Sequence, residues 1–147
     1  MFKHILVPTD GSPLSQSAVA RAVSFAKEAG ARVTFFYAQP DFPMPIYGEG
    51  ALIDPTTPEQ FGKAAAEEAR RILDTAKAAA DAAGVSADTD TVVNEVPYEA
   101  VIDAAQRHGC DLIFMASHGR RGIAGLLLGS ETQKVLTHSN IPVLVFR

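Results

Sequence analysis

Short apolar runs alternate with longer stretches in which apolar residues recur at helical spacing, and the alternation runs the length of the 147-residue chain. That pattern predicts a parallel sheet covered by helices. Ile5-Leu-Val7 reads as the first strand. A helix follows, with Ser12 as N-cap, Pro13 at the first helical position and Gly30 closing it. Leu14, Ala18, Ala22, Phe25 and Ala29 form its inner stripe. Val33 to Ala38, rich in β-branched and aromatic residues, is the second strand. Residues 40–56 carry Pro40, Pro43, Pro45 and Pro55 with Gly48 and Gly50, and read as one long irregular loop. The capping box Thr57-Pro-Glu-Gln60 opens a second helix that ends at Gly84. Phe61, Ala65, Ala69, Ile72, Leu73, Ala76, Ala80 and Ala83 make its core stripe, and Glu67 with Arg71 an i,i+4 ion pair.

The second half repeats the alternation. The third strand falls within Asp88–Val96, and a helix from Pro97 to Gly109 buries Val101, Ile102 and Ala105. Leu112 to Ala116 is a buried fourth strand. The last helix begins with a second capping box, Ser130-Glu-Thr-Gln133, and turns Val135 and Leu136 inward. Val143-Leu-Val-Phe146 is the fifth strand. Nothing marks a linker or an internal repeat, so residues 1–147 read as one domain, long enough to bury its own core.

Composition narrows the partners. Hydrophobic residues make up 47% and charged residues 20%, with a net charge of −4. The chain as a whole therefore offers no basic face for nucleic acid. The N-terminal apolar run is too short for a signal sequence, and no stretch approaches a membrane span, so a cytoplasmic location is expected. Cys110 is the single cysteine, which rules out an intrachain disulfide. It reads as a buried, inert thiol. His4, His108, His118 and His138 have no metal-ligand spacing and read as surface or turn residues, except that His118 lies inside a glycine loop.

That loop carries the candidate chemistry. Met115-Ala-Ser-His-Gly-Arg-Arg-Gly-Ile-Ala-Gly-Leu-Leu-Leu-Gly-Ser130 leaves the fourth strand and reaches a helix N-terminus. Glycines let backbone approach a ligand closely, the first helical N–H groups lack partners, and Arg120 and Arg121 supply cations. Phosphate binding is one reading; a surface loop leading to a capped helix is the other. Asp10, in Pro8-Thr-Asp-Gly-Ser12 at the end of the first strand, meets this loop if the strand order reverses between strands 1 and 4. It then either binds a sugar hydroxyl or a metal, or only organises its turn.

Several enzymatic signatures are missing. There is no G-x-x-x-x-G-K-[ST] and no G-x-G-x-x-G after strand 1. Met115 stands where G-x-S-x-G needs its first glycine. Ser117 and His118, as neighbours on an extended backbone, are expected to point apart. No catalytic residue is assigned.

Taken together, Ile5-Leu-Val-Pro-Thr-Asp-Gly-Ser12, Asp111-Leu-Ile-Phe-Met-Ala-Ser-His-Gly119, Leu127-Leu-Gly-Ser130 and Ile141-Pro-Val-Leu-Val145 resemble the universal stress protein family along essentially the whole chain. The family's ATP-binding members carry G-x-x-G, nine residues, then G-S or G-T. Here the register reads Ala116-Ser-His-Gly119, nine residues, Gly129-Ser130, with alanine in the first glycine position. The resemblance implies an open five-stranded parallel sheet of order 3-2-1-4-5 with helices on both faces, Rossmann-like. It implies that Pro8, Thr9, Asp10 and Ala38 line an adenine and ribose pocket. Gly119, Gly129 and Ser130 hold the phosphates, often with Mg2+ or Mn2+, and Met115, Ala116, His118 and Arg120 complete the site. It implies that the Ala116 methyl lies against the ribose or α-phosphate and weakens binding. It further implies a homodimer through the edge strand Val143, Leu144, Val145 and Phe146. Three roles follow: an ATP-binding stress-response module with a regulatory partner, a protein acting by contacts alone, or a weak ATP hydrolase.

Overall fold

The computed structural model describes residues 1–43, 57–119 and 128–147. Nine elements follow in the order β1 (His4–Pro8), α1 (Pro13–Ala29), β2 (Arg32–Gln39), α2 (Pro58–Ala83), β3 (Ala87–Val93), α3 (Pro97–Arg107), β4 (Leu112–Ala116), α4 (Ser130–His138) and β5 (Val143–Phe146). All strand pairs are parallel, in the order β3-β2-β1-β4-β5. The expected fold and strand order are therefore observed. Of the long proline-rich loop, residues 44–56 lie outside the described residues, as do residues 120–127 of the glycine loop.

Strand alternation sorts the core into two layers. Ile5, Val7, Val33, Phe35, Leu112 and Phe114 pack against α1 and α2. Leu6, Phe36, Ile113 and Met115 turn the other way, toward Ala100, Val101, Ala104 and Ala105 of α3 and Val135 of α4. Being buried on both faces is why these strands are continuous apolar runs rather than alternating ones. Helix ends follow the sequence where side chains cap. Ser12 Oγ accepts the Ser15 N–H at 3.2 Å. Thr57 and Gln60 form the reciprocal box, and Gly30 and Gly84 close their helices in the left-handed region at φ 66° and 75°.

Several details differ from the sequence reading. Ala29 is exposed, because the inner face of α1 runs through Ser15, Ala18, Val19, Ala22, Val23 and Ala26. Leu136 is 42% exposed, since Thr132 and Val135 already fill the inner face of the short α4. Arg71 pairs with Glu68 rather than Glu67. At that i,i+3 spacing its forked head reaches both carboxylate oxygens, at 2.9 and 2.6 Å. His4 is no surface residue: it is 5% exposed, with Nε2 2.7 Å from Thr34 Oγ1. Burial pushes its pKa below the ordinary histidine value, helped by the Arg32 charge. Cys110 is buried as expected, and burial pushes its thiol up to about 11.

Candidate functional site

The sheet reverses direction of winding between β1 and β4, so α1 leaves β1 toward one face and the chain after β4 leaves toward the other. A crevice at the carboxyl ends of these strands is where open parallel sheets hold ligands. The β1–α1 turn forms one wall. Gly11 takes a φ of 77°, which a side chain resists, and Asp10 Oδ1 accepts the Ser12 N–H at 2.9 Å. This bond fixes the turn and leaves the other carboxylate oxygen directed across the sheet. Thr9, 7% exposed, ties the turn to β2 through its N–H to the Phe36 carbonyl at 2.9 Å. Phe36 is the register partner of Pro8, so β2 outruns β1 and Ala38 stands beyond the end of β1, half-buried on the α3 side.

The opposite wall comes from the end of β4 and the start of α4. Asp10 and Gly119 meet. A Cβ on Gly119 would lie 2.5 Å from Asp10 Oδ2, closer than real side chains approach. Gly129 is packed less tightly: a Cβ there would sit 3.2 Å from the Ser117 carbonyl and 3.4 Å from His118 Cα, so the strand end would have to give by a few tenths of an ångström. Its N–H donates to that carbonyl at 2.6 Å. The Thr132 hydroxyl, buried in the first turn of α4, donates to the Ala116 and Ser117 carbonyls at 3.0 and 3.2 Å. These bonds clamp the helix N-terminus onto the strand end.

The second capping box does not form. Gly129, not Ser130, is the N-cap; its carbonyl accepts the Gln133 N–H at 3.1 Å, and Ser130 becomes the first helical residue, exposed. The physical reason is the clamp: a Cβ at 129 would crowd the Ser117 carbonyl, so glycine takes the cap position and no cap side chain is present. Among the described residues, nothing accepts from the N–H groups of Ser130, Glu131 or Thr132, the groups that face an anion at a helix N-terminus. Glu131 does not spoil this end. Its Oε2 accepts the Tyr98 N–H at 2.8 Å, capping α3, whose own N-cap Val96 has no capping side chain, and Lys134 lies 3.4 Å from Oε1.

Ser117 and His118 do not point apart. Ser117 Oγ lies 2.9 Å from His118 Nδ1. β4 ends at Ala116, so the alternation of an extended strand no longer governs the pair. Ser117 is 2% exposed, while His118 Nε2 is shut off from solvent with no hydrogen-bond partner. Met115 and Ala116 are core residues, 8% and 7% exposed. Ala116 belongs to the core layer on the α1 side, together with Val7, Ala18, Val19 and Phe114. Arg120 and Arg121 lie outside the described residues.

Another cavity, of about 110 Å3, opens between α1 and α2 and touches the turn through Thr9 and Gly11. Its rim is satisfied internally: Gln16 Nε2 donates to the Gly11 carbonyl at 3.1 Å, and Arg71 is paired with Glu68. The crevice, with the open N–H groups at the start of α4, is the better equipped site.

With fold and site described, relatives can be placed beside them. The universal stress protein family model matches residues 1–147, and the chain belongs to that family. It is 31% identical to universal stress protein YxiE of Bacillus subtilis, covering 100% of both chains. Among solved structures, MJ0577 of Methanocaldococcus jannaschii superposes with a TM-score of 0.81 at 28% identity, over 99% of this chain and 95% of that one. A universal stress protein in complex with cAMP superposes at 0.71 and 29% identity, over 99% and 97%.

The Asp10–Gly119 contact generates a direct test. Gly119→Ala should destabilise the protein by about 1–2 kcal/mol in urea unfolding, as overpacking does. Asp10→Ala should remove most of that added cost, because the two changes share one contact. Strict additivity of the two would show that the walls do not touch.

Proposed function

We propose that this protein binds an adenine nucleotide, ATP by preference, in the crevice between the β1–α1 turn and the start of α4. The observation that carries the reading is the clamped N-terminus of α4, capped by a glycine, with open N–H groups on Ser130, Glu131 and Thr132. Phosphate suits that end of a helix. The residues fit such a group: Gly119 and Gly129 leave the walls without Cβ atoms. A relative of this fold is seen in complex with cAMP, which supports an adenine nucleotide as the ligand class.

In this reading Pro8, Thr9, Asp10 and Ala38 flank the adenine and ribose, with Met115 and Ala116 as the buried floor. Gly119, Gly129 and Ser130 receive the phosphates, assisted by His118 and Arg120. A divalent ion, Mg2+ or Mn2+, accompanies the phosphates. The protein acts as a regulatory or protective module in stress resistance, in the cytoplasm, through a protein partner that senses the nucleotide state. Among the described residues no helix is long and apolar enough to cross a membrane, which accords with that location.

The nucleotide test uses Ser130, which is exposed and free of the clamp. Ser130→Asp puts a carboxylate where phosphate binds but leaves a residue the first turn of a helix favours. Circular dichroism should stay native, and the rise in melting temperature with ATP and magnesium should vanish. A variant that gains the full wild-type rise would place the phosphate elsewhere.

We also propose a homodimer through β5. Val143, Leu144, Val145 and Phe146 are all only half-buried, on a strand at the sheet edge. An apolar edge with open N–H and C=O groups invites pairing, and antiparallel pairing with a second copy obeys two-fold symmetry. Light scattering at micromolar concentration should give about twice the 15.6 kDa chain mass, and Leu144→Lys should give the monomer. A monomeric wild type would contradict it.

A further inference from the structure

The backbone phase of β5 is set by its bonds to β4. The Phe146 carbonyl accepts the Ser117 N–H at 2.7 Å, and the Pro142 carbonyl accepts the Ile113 N–H at 2.9 Å. Successive residues of a strand turn their N–H and C=O groups to opposite sides, so Leu144 also faces β4. Val143 and Val145 therefore present theirs to the free edge. No charge or proline within β5 blunts that edge, whereas the opposite edge strand, β3, carries Asp88 and Asp90. In an antiparallel pair, directly opposite residues lie on the same face of the sheet. A two-fold axis must then pass through a pair of identical residues, not between two. An axis at Leu144 sets Val143 opposite the partner's Val145 and uses every outward N–H and C=O of the strand. An axis at Val145 would set Val143 against the partner's Arg147, beyond the end of β5.

The last helix points to the same axis independently. The Thr132 hydroxyl holds the first turn of α4 on the Ala116 carbonyl, and Ala116 is the register partner of Phe146. From there α4 runs back against the strands toward the start of β5. Four helical residues descend about 6 Å, close to the rise of two strand residues, so Leu136 stands level with Leu144. Thr132 and Val135 are buried against the sheet, while Glu131, Lys134 and His138 turn to Tyr98 of α3. At about 100° per residue, this rotation directs Leu136 away from α3. α3 lies over β1 and β2 and α4 beside β5, so away from α3 means toward the open edge. Leu136 is 42% exposed there, and its neighbours on that side, Gln133 and Thr137, are uncharged.

We infer that a second copy of this chain docks on this face in one register, with the β5 strands paired about Leu144 and the two α4 helices packed through Leu136. The spacing fits. With strands about 4.8 Å apart, the axis lies about 2.4 Å beyond β5, and two helices seated over β4 and β5 come to lie about 10 Å from each other. That is the separation at which helices pack. The apolar Leu136 side chains meet across the axis, and the charged side chains of α4 stay on the α3 side, so no like charges are brought together. The inference rests on the β5 dimer proposed above and adds its register and its helical layer.

Cysteine cross-linking of the full chain reads the register. Two Leu144 Cα atoms facing each other across the axis form a non-hydrogen-bonded pair about 4.5 Å apart, within disulfide reach. The two Val145 Cα atoms are then about 8 Å apart, beyond it. Leu144→Cys should therefore give a covalent dimer on non-reducing gels after mild oxidation, and Val145→Cys should not. The wild type, whose Cys110 is buried, should give none. Leu136→Asp tests the helical layer on an exposed position, so circular dichroism should stay native. Sedimentation equilibrium should show its dimer at least tenfold weaker than the wild type, because the side chain counts twice across the axis. A monomeric wild type overturns both the dimer reading and this inference. A wild-type dimer in which Val145→Cys cross-links and Leu144→Cys does not, or in which Leu136→Asp dimerises as tightly as the wild type, overturns the inference and leaves the dimer reading standing.

Discussion

The 2.6 Å bond from the Gly129 N–H to the Ser117 carbonyl is the constraint on which the candidate site depends. It joins the end of the last central strand to the start of the last helix. Glycine favours it, because a Cβ at 129 would sit 3.2 Å from the Ser117 carbonyl and push the strand end back by a few tenths of an ångström. Thr132 adds a second tie from the same helix turn to the same strand end. Together they fix where the helix N-terminus points, and therefore where its unpaired N–H groups aim. A capped helix that began at Ser130 through a serine box would hide some of those groups behind its own side chain. The glycine N-cap trades capping stability for an open end.

A second approach without Cβ completes the crevice. Asp10 reaches across the switch between β1 and β4 and rests on Gly119. Its other oxygen is held by the Ser12 N–H, so the carboxylate is fixed from its own side of the sheet. The two walls are thus set by different elements yet meet at one point, as the strand order requires. Farther out, Glu131 spends its charge on the N-terminus of α3 through the Tyr98 N–H rather than on its own helix. An acidic residue in the first turn of α4 is therefore compatible with an anion site, because its carboxylate is directed elsewhere.

Much of this was legible in the sequence. Buried parallel strands write themselves as continuous apolar runs, and side-chain caps at Ser12 and Thr57 with glycines at 30 and 84 mark helix ends by composition alone. The meeting of Asp10 with the glycine loop followed from the strand order, which the family resemblance supplied. What the sequence hid were relations that depend on the backbone path after a strand stops. The Ser130 box looked sound because its residue types match, but the close packing of Gly129 on Ser117 shifts the helix start by one residue. Ser117 and His118 seemed to diverge because strand alternation was extended two residues too far. The burial of His4 had no signal in its neighbours, since its partner Thr34 lies one strand away.

The central claim is that the crevice between the β1–α1 turn and the clamped start of α4 is a nucleotide site. Backbone amide chemical-shift mapping with ATP and magnesium tests it most directly, because every wall of the crevice carries reporting N–H groups. The largest changes should fall at Asp10, Gly11, Gly119 and Ser130 to Thr132, while β3 and the second half of α2 stay still. No change at millimolar ATP, or changes centred on the cavity between α1 and α2, would contradict the account.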